Sequence, residues 1–114
     1  MIEIKFYTDT RGGIHMTLRV HAGAAPKGED LVCAACTTLA YTAGQAAQDL
    51  KAQGKLTKPP KIKICKGAAT IVATPKEGAV TEVLTMFRTV QCGAQVLAHN
   101  YPRYVRLQML HTKN

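Results

Sequence analysis

The chain has 114 residues, of which 46% are hydrophobic, and a formal net charge of +8. That length suits one folded domain with a real core, and the hydrophobic content excludes a disordered chain. No apolar run approaches the roughly 18 residues of a membrane-spanning helix. The opening MIEIKFYTDT alternates apolar with polar and carries an acid, so it does not read as a secretion signal. A cytoplasmic protein with no membrane partner is the expectation, and four cysteines without disulfide-dense loops agree with it. The positive charge allows contact with RNA or the ribosome, though a solvated Lys/Arg face is the plainer explanation.

Ile2, Ile4 and Phe6 alternate with Glu3, Lys5 and Tyr7, which predicts a half-buried strand. Asp9 to Gly13 is a turn with paired glycines. A second alternation follows, with Ile14, Met16, Leu18 and Val20 on one face and His15, Thr17, Arg19 and His21 on the other. Ala22 to Glu29 holds Gly23, Pro26 and Gly28 among small residues and reads as a loop. Asp30 is a plausible N-cap for a helix over about residues 31–51, where Leu31, Ala35, Leu39, Thr42, Ala46 and Leu50 recur at helical steps. Its alanine-rich surface permits close packing on a sheet or on a second copy.

Gly54 and Lys58-Pro59-Pro60 end that helix. Lys61 to Lys66 and Ala69 to Thr74 read as a second hairpin, broken by Pro75 and Gly78. Val80, Val83, Leu84, Phe87, Ala94, Leu97 and Ala98 predict a second amphipathic helix, ending near Asn100 before Pro102. Tyr104 to Leu110 looks like a last strand. The order ββαββαβ predicts an α+β fold: one domain spanning residues 1–114, a mixed sheet with two helices packed on it.

The chemistry concentrates in HAGAAPKGEDLVCAACT, from His21 to Thr37. A cysteine near a helix start meets unpaired N–H groups and the positive dipole end, both of which favour a thiolate. Cys33 is the candidate nucleophile, and the backbone N–H groups of Cys33 and Ala34 are candidate oxyanion donors. His21, at the end of a strand and across a loop, is the candidate partner that protonates the leaving amine. Asp30 opposes a thiolate by its charge, so its better role is to cap the helix and hold Cys33.

His21-Ala22, followed twelve residues after the histidine by the Cys33 of Asp30-Leu31-Val32-Cys33-Ala34-Ala35, resembles the ribosomal-processing cysteine proteases, the Prp family. The likeness runs the whole length of the chain. It implies a cytoplasmic homodimer that trims the N-terminal extension of a bacterial large-subunit ribosomal protein, with no cofactor and no metal. It also implies Cys33 as nucleophile, His21 as partner, Asp30 and Thr37 as supporting residues, and a gating loop containing Gly23, Pro26 and Gly28. Two positions depart from the family pattern. Val20 stands where the family has glycine, and Cys36 stands where it has a small residue without a thiol. Strict alternation sends His21 to the face opposite Val20, away from the helices, so the pair needs a kink or bulge near Ala22.

Three other readings compete. Cys33-Ala34-Ala35-Cys36 is a C-x-x-C at a helix start, as in dithiol redox proteins, but it follows a hairpin and a long loop instead of a βαβ strand. A zinc site from Cys33, Cys36, Cys65 and Cys92 is weaker, because the second pair lies 27 residues apart. Cys65 and Cys92 read as packing residues, and His15, His99 and His111 as solvated. A non-enzymatic RNA- or ribosome-binding module has its lysines between Lys51 and Lys66, with Arg103 and Arg106, but no interleaved aromatic pair.

Overall fold

A computed structural model of the chain describes residues 1–21 and 29–111. The elements run β1 (Ile2–Thr8), β2 (Ile14–Val20), α1 (Glu29–Ala52), β3 (Lys61–Cys65), β4 (Ala68–Ala73), α2 (Val80–Asn100) and β5 (Val105–Gln108). The five strands form one sheet in the order β3-β4-β2-β1-β5. Both hairpins and the β2–β4 pair are antiparallel, and β5 joins β1 in parallel, so the sheet is mixed as expected.

Side-chain alternation decides which face is covered. In β1 and β2, Ile2, Ile4, Phe6, Ile14, Met16 and Leu18 are buried, and the residues between them are not. The register pairs Ile4 with Leu18 and Phe6 with Met16, so both strands turn their apolar sides to the same face. Ala69, Ile71 and Ala73 of β4 continue it. The helices cover that face, and Phe87, Val83 and Cys36 are wholly buried against it. Each large apolar side chain sealed there is worth about 1.5–3 kcal/mol.

Small residues let the helices come close. A Cβ at Gly44 of α1 would stand 3.2 Å from Ile62 Cγ2, and one at Gly93 of α2 would stand 2.8 Å from Leu39 Cδ2. The first is a tight helix–sheet contact, and the second a helix–helix contact in which a methyl group would force Leu39 to shift. The β1–β2 turn is held by Asp9, whose Oδ1 accepts bonds from the Arg11 and Gly13 amides at 2.8 and 2.9 Å. Gly12 takes the positive φ of 86° that this turn requires.

Three expectations are corrected here. Cys65 and Cys92 are exposed, not packed: Cys65 lies on the edge strand β3, whose odd positions face away from the helices, and Cys92 lies on an exposed position of α2. His15 is not simply solvated. Its Nε2 lies 2.7 Å from Asp9 Oδ2, and its ring stacks on Tyr7 with centroids 4.4 Å apart.

Candidate active site

The end of β2 is anchored on both sides. The Val20 amide donates to the Gly67 carbonyl at 2.8 Å, and the His21 amide donates to the Met1 carbonyl at 3.0 Å. With the backbone pinned at both residues, alternation continues past the last strand position. Val20 packs against the core, and the His21 ring lies on the helix-free face. There, His21 Nε2 stands 3.5 Å from Glu3 Oε1, and the side chain is 48% exposed. Burial pushes the Glu3 carboxyl up. The Lys5 ammonium, 3.6 Å away, and His21 together outweigh this and hold it below its ordinary value.

Helix α1 begins at Glu29, two residues earlier than the sequence spacing predicts. Asp30 therefore lies in the exposed first turn, not at the N-cap, where its charge still complements the positive end of the helix dipole. Glu29, read from sequence as a loop residue, is 4% exposed, and its Oε1 accepts a bond from the Met1 ammonium at 2.8 Å. The ion pair ties the first turn of α1 to the start of β1.

The earlier start also changes the state of the proposed oxyanion donors. Cys33 becomes the fifth residue of α1, and in an α-helix its amide bonds the carbonyl four residues back, as does that of Ala34. The amides with no carbonyl partner inside the helix lie earlier, at Glu29, Asp30 and Leu31. The Cys33 thiol is half-buried and packs against the core from the helix layer. Thr37 Oγ1 donates to the Cys33 carbonyl at 2.8 Å, so this hydroxyl fixes the cysteine's backbone and not its sulfur.

The described contacts do not join His21 to Cys33. His21 has Glu3 as its partner on the open face, and Cys33 has the core. Gly23, Pro26 and Gly28 lie outside the described residues. Glu3 was the residue missed in sequence, although the signal was there: odd positions of β1 and of β2 share one face, which puts Glu3 beside Arg19 and His21.

Cys36 sits three residues on from Cys33 in a different environment. It is 0% exposed, and burial first, then the neighbouring Cys33, pushes its thiol up to about 11. A sealed thiol that stays protonated is a poor member of a dithiol redox pair. Among the described residues, no three His, Cys, Asp or Glu side chains converge where a metal ion would sit, and no helix is long and apolar enough to cross a membrane.

The mixed five-stranded sheet thus carries a half-buried cysteine on its first helix and a histidine just past its second strand. The chain matches the model of the cysteine protease Prp family over residues 1–106 and belongs to that family of cysteine proteases. No sequence of a curated protein matches it. Among solved structures it is similar in fold to SMU.848 from Streptococcus mutans, with TM-score 0.67, 24% identity, and 98% of this chain and 96% of that one covered. It is also similar to the ribosomal processing protease Prp from Staphylococcus aureus in complex with a substrate peptide, with TM-score 0.65, 16% identity, and 96% and 99% covered. The same Staphylococcus aureus protease with a covalently linked product peptide gives TM-score 0.63 and 19% identity over the same shares.

Proposed function

We propose that this protease trims the N-terminal extension of a bacterial large-subunit ribosomal protein, with Cys33 as nucleophile and His21 as its acid–base partner. The observation that carries the reading is the contrast between the two thiols of α1. Cys36 is sealed and held protonated, whereas Cys33 is only half-buried, one turn into a helix of this family. The Staphylococcus aureus relative, crystallised with substrate and product peptides, supplies the substrate class by likeness.

In this account the Cys33 thiolate attacks the scissile carbonyl carbon and forms the C–S bond. The developing oxyanion takes hydrogen bonds from the first-turn amides, in place of those of Cys33 and Ala34, which are engaged within the helix. Protonated His21 gives its proton to the leaving amine as the C–N bond breaks, leaving an acyl-enzyme. His21 then takes a proton from water as its oxygen attacks the thioester carbonyl, and the C–S bond breaks to free the acid and restore the Cys33 thiolate. To do this the imidazole exchanges the Glu3 carboxylate for the Cys33 thiol, a movement across the end of β2. Asp30 and Thr37 support the site, the first through the helix end and the second through the Cys33 carbonyl. A homodimer in the cytoplasm, near the ribosome, with the segment carrying Gly23, Pro26 and Gly28 as gate, completes the proposal.

A chloromethyl ketone built on the extension peptide tests the nucleophile directly. Mass spectrometry should find the adduct on Cys33, and an adduct confined to the exposed Cys65 or Cys92 would contradict the assignment.

A further inference from the structure

The charge of this protein is divided between its two layers. The strands carry Lys5, Arg19, Lys61, Lys63 and Arg106 against Glu3 alone, a balance of +4. The helices carry Lys51 and Arg88 against Glu29, Asp30, Asp49 and Glu82, a balance of −2. Every charged strand residue projects to the helix-free face, because alternation reserves the other face for the core. The lone acid there, Glu3, is already offset by Lys5 at 3.6 Å. The result is one uncovered sheet face with cations from edge to edge.

We infer that this open face binds the phosphodiester backbone of RNA. The cations lie on β3, β2, β1 and β5, so they span four inter-strand intervals, about 19 Å. That width accommodates a single strand of about four nucleotides. A shallow groove of about 520 Å³ crosses the face between Lys5, Thr17, Arg19, Thr70 and Gln108, and its hydroxyls and amide offer bonds to ribose and phosphate oxygens. At one end Tyr7, 37% exposed and braced by its stack on His15, presents a firm ring on which a base can lie.

The same face is ill-suited to other anionic partners. Tyr7 is the one exposed large hydrophobic residue among its described strand positions, whereas Leu31, Tyr41, Val80 and Val96 are all on the helices. A membrane surface needs apolar side chains to insert, and a protein interface needs buried anchors; this face has neither. Phosphate recognition needs only the distributed cations and hydrogen-bond donors that are present.

The test is fluorescence anisotropy with a labelled oligouridine of about 20 nucleotides, titrated between about 50 and 200 mM salt. Five cations on single-stranded RNA predict a log–log salt slope of about −3.5. The variant Lys61→Glu/Lys63→Glu, both exposed on an edge strand, should weaken binding tenfold or more and flatten the slope by about 1. Lys51→Glu/Arg88→Glu makes the same change in net charge on the helix layer and should stay within about twofold of the native protein. Lys61→Gln/Lys63→Gln serves if the charge reversal impairs folding, and should show a smaller loss in the same direction. Equal weakening by the strand and helix pairs would overturn the inference, as would absence of RNA binding at low salt. Binding to polyglutamate or to phosphatidylserine vesicles as tight as to RNA would overturn it too. No turnover is read, so failure here leaves the Cys33 mechanism standing, and failure of that mechanism leaves this result standing.

Discussion

His21 Nε2 stands 3.5 Å from Glu3 Oε1 on the open face of the sheet, while Cys33 packs on the other side of it. The contact makes Glu3 a competitor for the imidazole that catalysis requires. It is long and half-exposed, so solvent screens it and it holds the imidazole only weakly. The histidine is therefore parked, not locked.

Removing the competitor should raise activity. Glu3→Gln keeps the size and polarity of the side chain and deletes its charge, so His21 is released toward Cys33. Given the energy of such pairs, kcat/KM should rise by up to about fivefold, with little change in Tm. A fall in kcat/KM would mean that Glu3 orients the imidazole instead of holding it away.

Cys36→Ala separates hydrolysis from thiol redox chemistry. The residue is wholly buried, so losing its sulfur should cost about 1 kcal/mol of stability, read as a lower denaturant midpoint. Peptide cleavage should stay within about twofold of native, since a thiol pushed up to about 11 takes no part at neutral pH. A dithiol mechanism requires the activity to disappear.

Asp9 carries an acid-range signature. Its carboxylate accepts bonds from His15 and from the Gly13 and Arg11 amides, and these hold its pKa at about 2 against an ordinary 3.8. The folded state therefore favours the charged form. Its contribution to stability is complete above about pH 3.8 and is lost as pH falls through about 2. Asp9→Asn should lower Tm near neutrality, where the charged form contributes fully, and flatten the fall of Tm in that acid window. An NMR titration of Asp9 with an ordinary midpoint would contradict this.

The helix interface has no slack at Gly93. A methyl group there would stand 2.8 Å from Leu39 Cδ2, so Gly93→Ala forces Leu39 to shift. Overpacking costs about 1–3 kcal/mol, and the gain in helix propensity returns about 1. The net expectation is a destabilisation near 1 kcal/mol. Adding Leu39→Val should recover part of it, a coupling that a double-mutant cycle in urea would read.

Much of this was legible in the residues. Period-two alternation in β1 and β2 identified both faces of the sheet, and the same rule warned that His21 would leave Val20's side. Helical spacing placed α1 and α2 to within two residues. The N-terminus of α1 was not legible, because Glu29 there is held by a bond to the Met1 ammonium, 28 positions away. That tertiary contact converts an apparent loop acid into a buried helical residue. The helix start two residues earlier takes the amides without helical partners away from Cys33 and Ala34. The exposure of Cys65 was hidden for a similar reason, since β3 reads as a strand whether it lies at an edge or in the middle. Tyr7 stacking on His15 depended on the register Tyr7↔His15, which the turn at Asp9 sets.

The central claim is that Cys33 and His21 act together, and peptide cleavage tests it most directly. A peptide spanning the N-terminal extension of the ribosomal substrate, under reducing conditions, would be given to the native protein, Cys33→Ala and His21→Ala. The account predicts turnover by the native protein, none measurable with Cys33→Ala, and a loss of about 10²–10⁴-fold with His21→Ala. Undiminished turnover in either variant would contradict it.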